Sequence, residues 1–208
     1  LGEGVGDALR AERIELRLGN APTAARRDGS EYVLEFADGT EARGDRLLVA
    51  AGRRPRVSDI GLDTVGVPAD PRGIAVDARM AVRPGLWAIG DVTGLWQLTH
   101  VGEYQGRVAA SNILGHPSEA HYEAVPRVVF CDPQAASVGE ADGPFTATIG
   151  LAGIPRTSTY TREYDTRPGF LTLVCDGARL TGAYALGPEA GEWLQQVTLA
   201  IRARIPLP

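Results

Sequence analysis

Lysine is missing from this sequence: all 21 basic residues are arginine. They face 26 acidic residues, so the formal net charge is −5. Binding to nucleic acid needs a basic face for the phosphates, and no such partner is expected. Cysteine is almost as scarce. Cys131 and Cys175 lie far apart, with no Cys-x-x-Cys pair and no metal-ligand spacing. That usage fits a reducing compartment, and a cytoplasmic location is expected. No apolar run approaches the length of a bilayer crossing. Residues 1–10 lack the basic and apolar regions of a signal peptide, so no membrane partner is expected. The one methionine is Met80, which suggests that Leu1 is not a native start and that the chain is a fragment. What abounds is Ala, Arg and Gly, a mark of GC-rich codons rather than of chemistry. Hydrophobic residues at 44% and charged residues at 23% are ordinary for a soluble globular protein. A length of 208 residues allows one or two domains with a real core.

Residues 7–12 read as the end of a helix and 13–18 as a short strand. Asp28-Gly29 and Asp38-Gly39 flank a run in which Tyr32, Leu34 and Phe36 alternate with Glu31, Val33 and Glu35. Gly accepts positive φ and the turn twist suits the strands, so residues 21–43 predict a three-stranded antiparallel meander. Residues 46–52 are apolar on both faces and end in Gly, which predicts a buried parallel strand. Residues 53–84, rich in Pro, Gly and Asp, read as a connection with one short strand at 74–77. A second buried strand is expected at 86–89. A helix follows at 99–114, with Thr99 as its cap and Gly115 and Pro117 ending it. Val101, Tyr104, Val108 and Ile113 roughly share one of its faces. Later strands are expected at 125–130, 158–160, 170–174 and 180–186. An amphipathic helix at 189–204 carries Trp193, Val197, Ala200 and Ile201 at helical spacing.

Two places carry chemistry on their own residues. Leu86-Trp87-Ala88-Ile89-Gly90-Asp91 delivers a carboxylate to the end of a strand, where open α/β sheets bind ligands. Gly90 permits close approach to the backbone, and Asp91 can accept hydrogen bonds from hydroxyls. The plain alternative is an Asp that caps a turn. A few residues on, Gln97-Leu98-Thr99-His100 opens the helix, whose first amides are free to donate. A capped surface helix is the plain alternative there. Arg53, Arg54 and Arg56 form a basic cluster that suits a nucleotide phosphate or a solvated linker equally. Cys131 and Cys175 read as buried, inert thiols. His116 and His121 read as solvated, and Trp193 as a core or dimer contact.

Taken together, "LLVAAGRRPR" at 47–56, "GLDTVGV" at 61–67, "GLWAIGDVTG" at 85–94, "LTHVGEYQGR" at 98–107, "DPQAASVGE" at 132–140 and "ALGPEAGEWLQQ" at 185–196 resemble the pyridine nucleotide–disulfide oxidoreductases, the group that includes dihydrolipoamide dehydrogenase and mercuric reductase. The segments run in the family's order over nearly the whole chain. The resemblance implies α/β and α+β architecture: the tail of FAD/NAD(P)-binding Rossmann-like domains, followed by an α+β dimerisation domain. Residues 1–53 would end the NAD(P)-binding domain, 54–121 would close the FAD-binding domain, and 122–208 would form a truncated interface domain that pairs two subunits as a homodimer. The implied cofactors are FAD and NAD(P)H. Gly90 and Asp91 would meet the FAD ribityl chain. Leu98, Thr99 and the amide of His100 would face the flavin ring. Ala50, Ala51, Gly52 and Arg53 would form the strand end that contacts NAD(P) and returns the chain to the FAD domain. The implied reaction carries electrons from NAD(P)H through FAD to a disulfide or another acceptor.

Departures from the family pattern bear on activity. The FAD-binding Gly-x-Gly-x-x-Gly, the Cys-x-x-x-x-Cys redox pair and the Gly-rich turn of the nicotinamide domain are absent. So is the family's His-Pro-x-x-x-Glu segment, the source of its acid/base. A thiol relay needs a thiolate and a base, and this chain supplies no catalytic residue, so the isolated chain is expected to be inactive. After Glu140, where the family runs a helix, Ala141-Asp142-Gly143-Pro144 breaks one, which implies a trimmed interface domain. Two other readings stay open. One is the same scaffold without redox cysteines, as in quinone reductases or transhydrogenases. The other is a non-catalytic dimerisation module.

Overall fold

The computed structural model describes residues 1–151 and 169–208; the strand expected at 158–160 lies outside them. The described residues form two compact units. One joins Leu1–Ala50 to Pro126–Pro208, and the other is Ala51–Val125.

The first unit begins with helix α1, Gly2–Ala11. It ends where Arg13 turns left-handed, with φ 63°, and its amide reaches the Arg10 carbonyl. Residues 14–17 then pair with no strand, so the strand expected at 13–18 does not form. The chain's next bonds close a helix end instead. The expected meander is present: β1 Pro22–Asp28, β2 Glu31–Phe36 and β3 Glu41–Gly44, paired in that order. Gly29 and Gly39 both have positive φ, as their turns require. The burial differs from the simple alternation. Val33, expected on the polar face with Glu31 and Glu35, is fully buried. Its cross-strand neighbours are Arg26 and Arg43. Their guanidinium groups meet Asp28, Glu35 and Glu41 at 2.9–3.4 Å. A long arginine stem can lie along apolar surface while its head stays in water, so this face is charged at the rim and apolar beneath.

The same unit holds a five-stranded antiparallel sheet in the order β6-β7-β10-β9-β8. Its strands are β6 Arg127–Val129, β7 Gln134–Gly139, β8 Phe145–Gly150, β9 Phe170–Cys175 and β10 Leu180–Gly187. Strands β6, β9 and β10 fall where expected; β7 and β8 were not foreseen. The Gly143-Pro144 break does exclude a helix, and the chain goes straight into β8. In the centre, Ala135, Ala136, Val138, Val174, Ala183, Ala185 and Leu186 are buried. These small side chains let neighbours close in: a Cβ on Gly182 would overlap the Glu140 carbonyl. The expected helix at 189–204 forms as two pieces, α3 Ala190–Trp193 and α4 Gln195–Arg202, broken at Leu194. Leu194 is fully buried and Ile201 nearly so. Trp193 is half-buried, and its indole N–H donates to the Pro188 carbonyl at 2.8 Å.

Residues 46–52 are not a strand. Leu48 is 90% exposed and Val49 75%. A doubly buried strand exists only between two neighbours, and among the described residues none pairs with this run.

The second unit contains little regular sheet. The segment at 74–77 is not a strand: the Ile74 amide bonds to Val92 and the Asp77 amide to Ala81. Asp77 Oδ1 in turn accepts the amides of Arg79 and Ala81 at 2.9 Å, a side-chain-built turn. The strand expected at 86–89 shrinks to β5, Leu86–Trp87, paired antiparallel with β4, Ala81–Arg83. Ile89 is exposed, because the two-stranded ribbon covers the run only at its start. Val57, Val67, Ile74 and Ala88 form one apolar core. Met80, Val108 and Ala109 form a second, which holds helix α2, Thr99–Ile113. The buried face of α2 is Val101, Gln105, Val108 and Ala109; Ile113 is exposed. Leu98, not Thr99, is its N-cap, and no side chain caps it. Gly115, with φ 80°, ends the helix as expected.

Candidate functional site at the Asp91 turn and the mouth of α2

Beyond β5 the chain makes one turn of 3₁₀ helix, Gly90–Thr93. Its geometry follows from two glycines and one hydroxyl. Gly90 has φ 74° and Gly94 φ 72°, the left-handed region that disfavours side chains. A Cβ on Gly94 would collide with the Arg72 carbonyl, whereas a Cβ on Gly90 would project into open space. The Thr93 hydroxyl donates to the Gly90 carbonyl at 2.8 Å and accepts the Leu95 amide at 3.2 Å. Asp91 rides on this turn, with its side chain 56% exposed.

The turn packs against α2. The Gly90 amide donates to Gln105 Oε1 at 2.6 Å. Two glycines of the helix face the turn at close range. A Cβ on Gly102 would sit 3.4 Å from the Gly90 Cα, and one on Gly106 would sit 3.4 Å from Ile89 Cδ1. The helix mouth is close by in sequence and in space. The Val101 and Gly102 amides return to the Leu98 carbonyl at 3.1 Å. The amides of Thr99 and His100 have no backbone acceptor among the described residues, and both residues are exposed. Arg53 ties in the start of the unit: its Nη1 donates to the Gln97 carbonyl at 2.6 Å and stands 4.0 Å from Asp91 Oδ2. An ion pair this exposed contributes little to stability.

The sequence-named residues divide accordingly. Gly90, Asp91, Leu98, Thr99, His100 and Arg53 are brought into one neighbourhood of the second unit, with Ala51 and Gly52 directly before Arg53 in the chain. Ala50 closes the first unit. Arg54 and Arg56 are exposed, and so are His116 and His121. Cys131 and Cys175 are half-exposed rather than buried. Each is occupied by backbone: Cys131 Sγ lies 3.0 Å from the Pro133 carbonyl, and Cys175 Sγ accepts the Gly177 amide at 3.2 Å. Sequence reasoning missed Gln105, which resembled any polar helix residue until its burial was seen. The second unit also has a groove of about 620 Å³ lined by Val76, Arg79, Arg83 and Trp87 among others; none of the cofactor-binding residues expected from the sequence lines it. No helix among the described residues is long and apolar enough to cross a membrane.

The donor set offers one acceptor and two backbone donors to a polar ligand. A carboxylate accepts from hydroxyls, two free amides at a helix start donate to carbonyl oxygens, and the space beside the Gly90 Cα is open.

Known proteins share both parts of the chain. The model of the pyridine nucleotide-disulphide oxidoreductases matches residues 1–106, and the model of their dimerisation domain matches 125–207. The dihydrolipoyl dehydrogenase of Chlamydia muridarum is 37% identical over 97% of this chain and 45% of its own length. The mercuric reductase of Shigella flexneri is 39% identical over 99% of this chain and 38% of its own. Among solved structures, LpdA from Mycobacterium tuberculosis superposes with a TM-score of 0.80 at 24% identity, over 97% of this chain and 46% of that one. RclA, an HOCl-induced flavoprotein disulfide reductase from Escherichia coli, superposes with a TM-score of 0.83 at 22% identity, over 98% and 49%. These last two likenesses speak for the fold. The chain thus spans less than half the length of these relatives. Two adjoining family models, in the order expected from the sequence motifs, cover nearly all of it, and the chain belongs to the pyridine nucleotide-disulphide oxidoreductase family.

Proposed function

We propose that this chain is the portion of a longer FAD-dependent NAD(P)H oxidoreductase that holds the flavin and pairs the subunits. Asp91 accepts hydrogen bonds from the ribityl hydroxyls, beside the open face of Gly90. Leu98, Thr99 and the amide of His100 present the start of α2 to the flavin pyrimidine edge, where the helix dipole favours an electron-rich group. Ala50, Ala51, Gly52 and Arg53 form the crossover that meets NAD(P). FAD, when bound, supplies the two-electron chemistry that links NAD(P)H to a disulfide or another acceptor. The chain's own part is binding and orientation, because it carries no redox cysteine pair. In this reading residues 1–53 end the NAD(P) domain, 54–121 close the FAD domain, and 122–208 bring two copies together as a homodimer. Two unpaired cysteines support a cytoplasmic location.

The observation that carries the reading is the packing of the Gly90–Asp91 turn on α2, the helix whose first two amides have no backbone acceptor among the described residues. The test is a flavin titration of the full-length protein, followed by fluorescence quenching. Asp91→Ala is expected to raise the FAD dissociation constant at least about tenfold, the scale of a lost charge-assisted bond. An unchanged constant would overturn the assignment.

A further inference from the structure

We propose that Gln105 is a positioning residue for the flavin site, holding the Gly90–Asp91 turn against α2, with Tyr122 holding Gln105 in turn. This inference rests on the flavin reading above. Gln105 is fully buried on a helix face otherwise made of Val101, Val108 and Ala109. A buried amide with unmet hydrogen bonds is costly, and this one is met at both ends. Oε1 accepts the Gly90 amide at 2.6 Å, and Nε2 donates to the Tyr122 hydroxyl at 3.0 Å. The Tyr122 oxygen lies 3.7 Å from the sulfur of the buried Met80. Polarity fixes the orientation. A backbone N–H can only donate, so the oxygen of the side chain must face Gly90 and the nitrogen must face Tyr122.

The bond acts one residue before Asp91. The Gly90 amide is a free donor at the start of a 3₁₀ turn, where no residue of that turn can accept it. Its partner comes from α2, so the helix that offers Thr99 and His100 also sets where the Asp91 turn sits. Acceptor and donors are thereby held at one separation. Gln105 touches no ligand itself; it acts through the backbone of Gly90.

Three variants of the full-length flavoprotein test this, each read by FAD dissociation constant, thermal midpoint of the FAD-free protein and hydrogen exchange of the Gly90 amide. Gln105→Leu fills nearly the same volume and makes neither bond. It should weaken FAD about tenfold and speed Gly90 exchange by a similar factor. Gln105→Glu keeps an oxygen for Gly90 and should stay within about threefold of the parent. Tyr122→Phe, which removes only the outer bond, should fall between the two. FAD affinity within about threefold for Gln105→Leu would overturn the proposal. So would a lower midpoint in the FAD-free protein with affinity kept. If Gln105→Leu does not fold, Tyr122→Phe decides: unchanged affinity and unchanged Gly90 exchange overturn the role. Asp91→Ala separates the two levels. If it leaves affinity intact, the flavin reading falls and this inference with it. If it weakens binding while Gln105→Leu does not, only the positioning role falls.

Discussion

Asp70 shows how much a single turn can do to a charge in open water. Its carboxylate accepts the Arg72 guanidinium at 2.7 Å and the Arg72 amide at 2.8 Å. Arg72 and its amide together hold the Asp70 pKa down to about 2. A depressed carboxylate adds stability above its ordinary value of 3.8 and loses it as pH falls from there to about 2. The pair is exposed, so the contribution is small, but the titration itself is measurable. Carbon NMR of the Asp70 carboxyl should give a midpoint near 2, moving toward 3.8 in Arg72→Ala. A midpoint already near 3.8 in the unaltered protein would remove the contact. At this scale the sequence was a fair guide where chemistry is local. The Asp-Gly turns of the meander could be named because each is written in two adjacent residues. Gln105 could not, since burial is a property of the fold, and the helical spacing put Tyr104 rather than Gln105 on the apolar face with Val101 and Val108. Thr99 misled in the opposite way. Its side chain can cap a helix, yet the chain enters α2 one residue earlier, through an extended Leu98.

Elements followed their turns more faithfully than their hydrophobicity. The meander is framed by Asp-Gly pairs and appears as read. Strand β7 escaped notice because Ala135, Ala136 and Ser137 carry little strand signal, and β8 because it follows the Gly143-Pro144 break so closely; β10 and β9 pair with them in turn. The last helix was legible in its face but not in its break. Leu194 closes α3 and opens α4, and its carbonyl accepts both the amide and the hydroxyl of Thr198. Since Leu194 is fully buried, Leu194→Ala should cost about 2–5 kcal/mol by chemical denaturation. A loss under about 1 kcal/mol would mean that the two short helices are not anchored there.

For the molecule as a whole, the instructive failure is the run at 46–52. Its composition states a demand for neighbours on two sides, and no neighbour is found among the described residues. The exposed Leu48 and Val49 are therefore apolar surface that the described residues leave uncovered. We expect this chain by itself to bind the dye ANS, and Leu48→Glu with Val49→Thr to lower that binding by about half or more. The order of the two family matches, oxidoreductase and then dimerisation domain, was legible because motifs keep their order even when local strands do not form.

The first unit is assembled from both ends of the sequence, and Gly4 of α1 presses so closely on Leu186 that a Cβ there would lie 2.6 Å from its Cδ2. On a ribosome adding about 5–20 residues per second, that helix is made on the order of ten seconds or more before its partner exists. Residues 51–125 carry their own core and need not wait. Nascent chains released in stages should therefore show protease resistance first in the middle of the sequence, and only afterwards at its beginning.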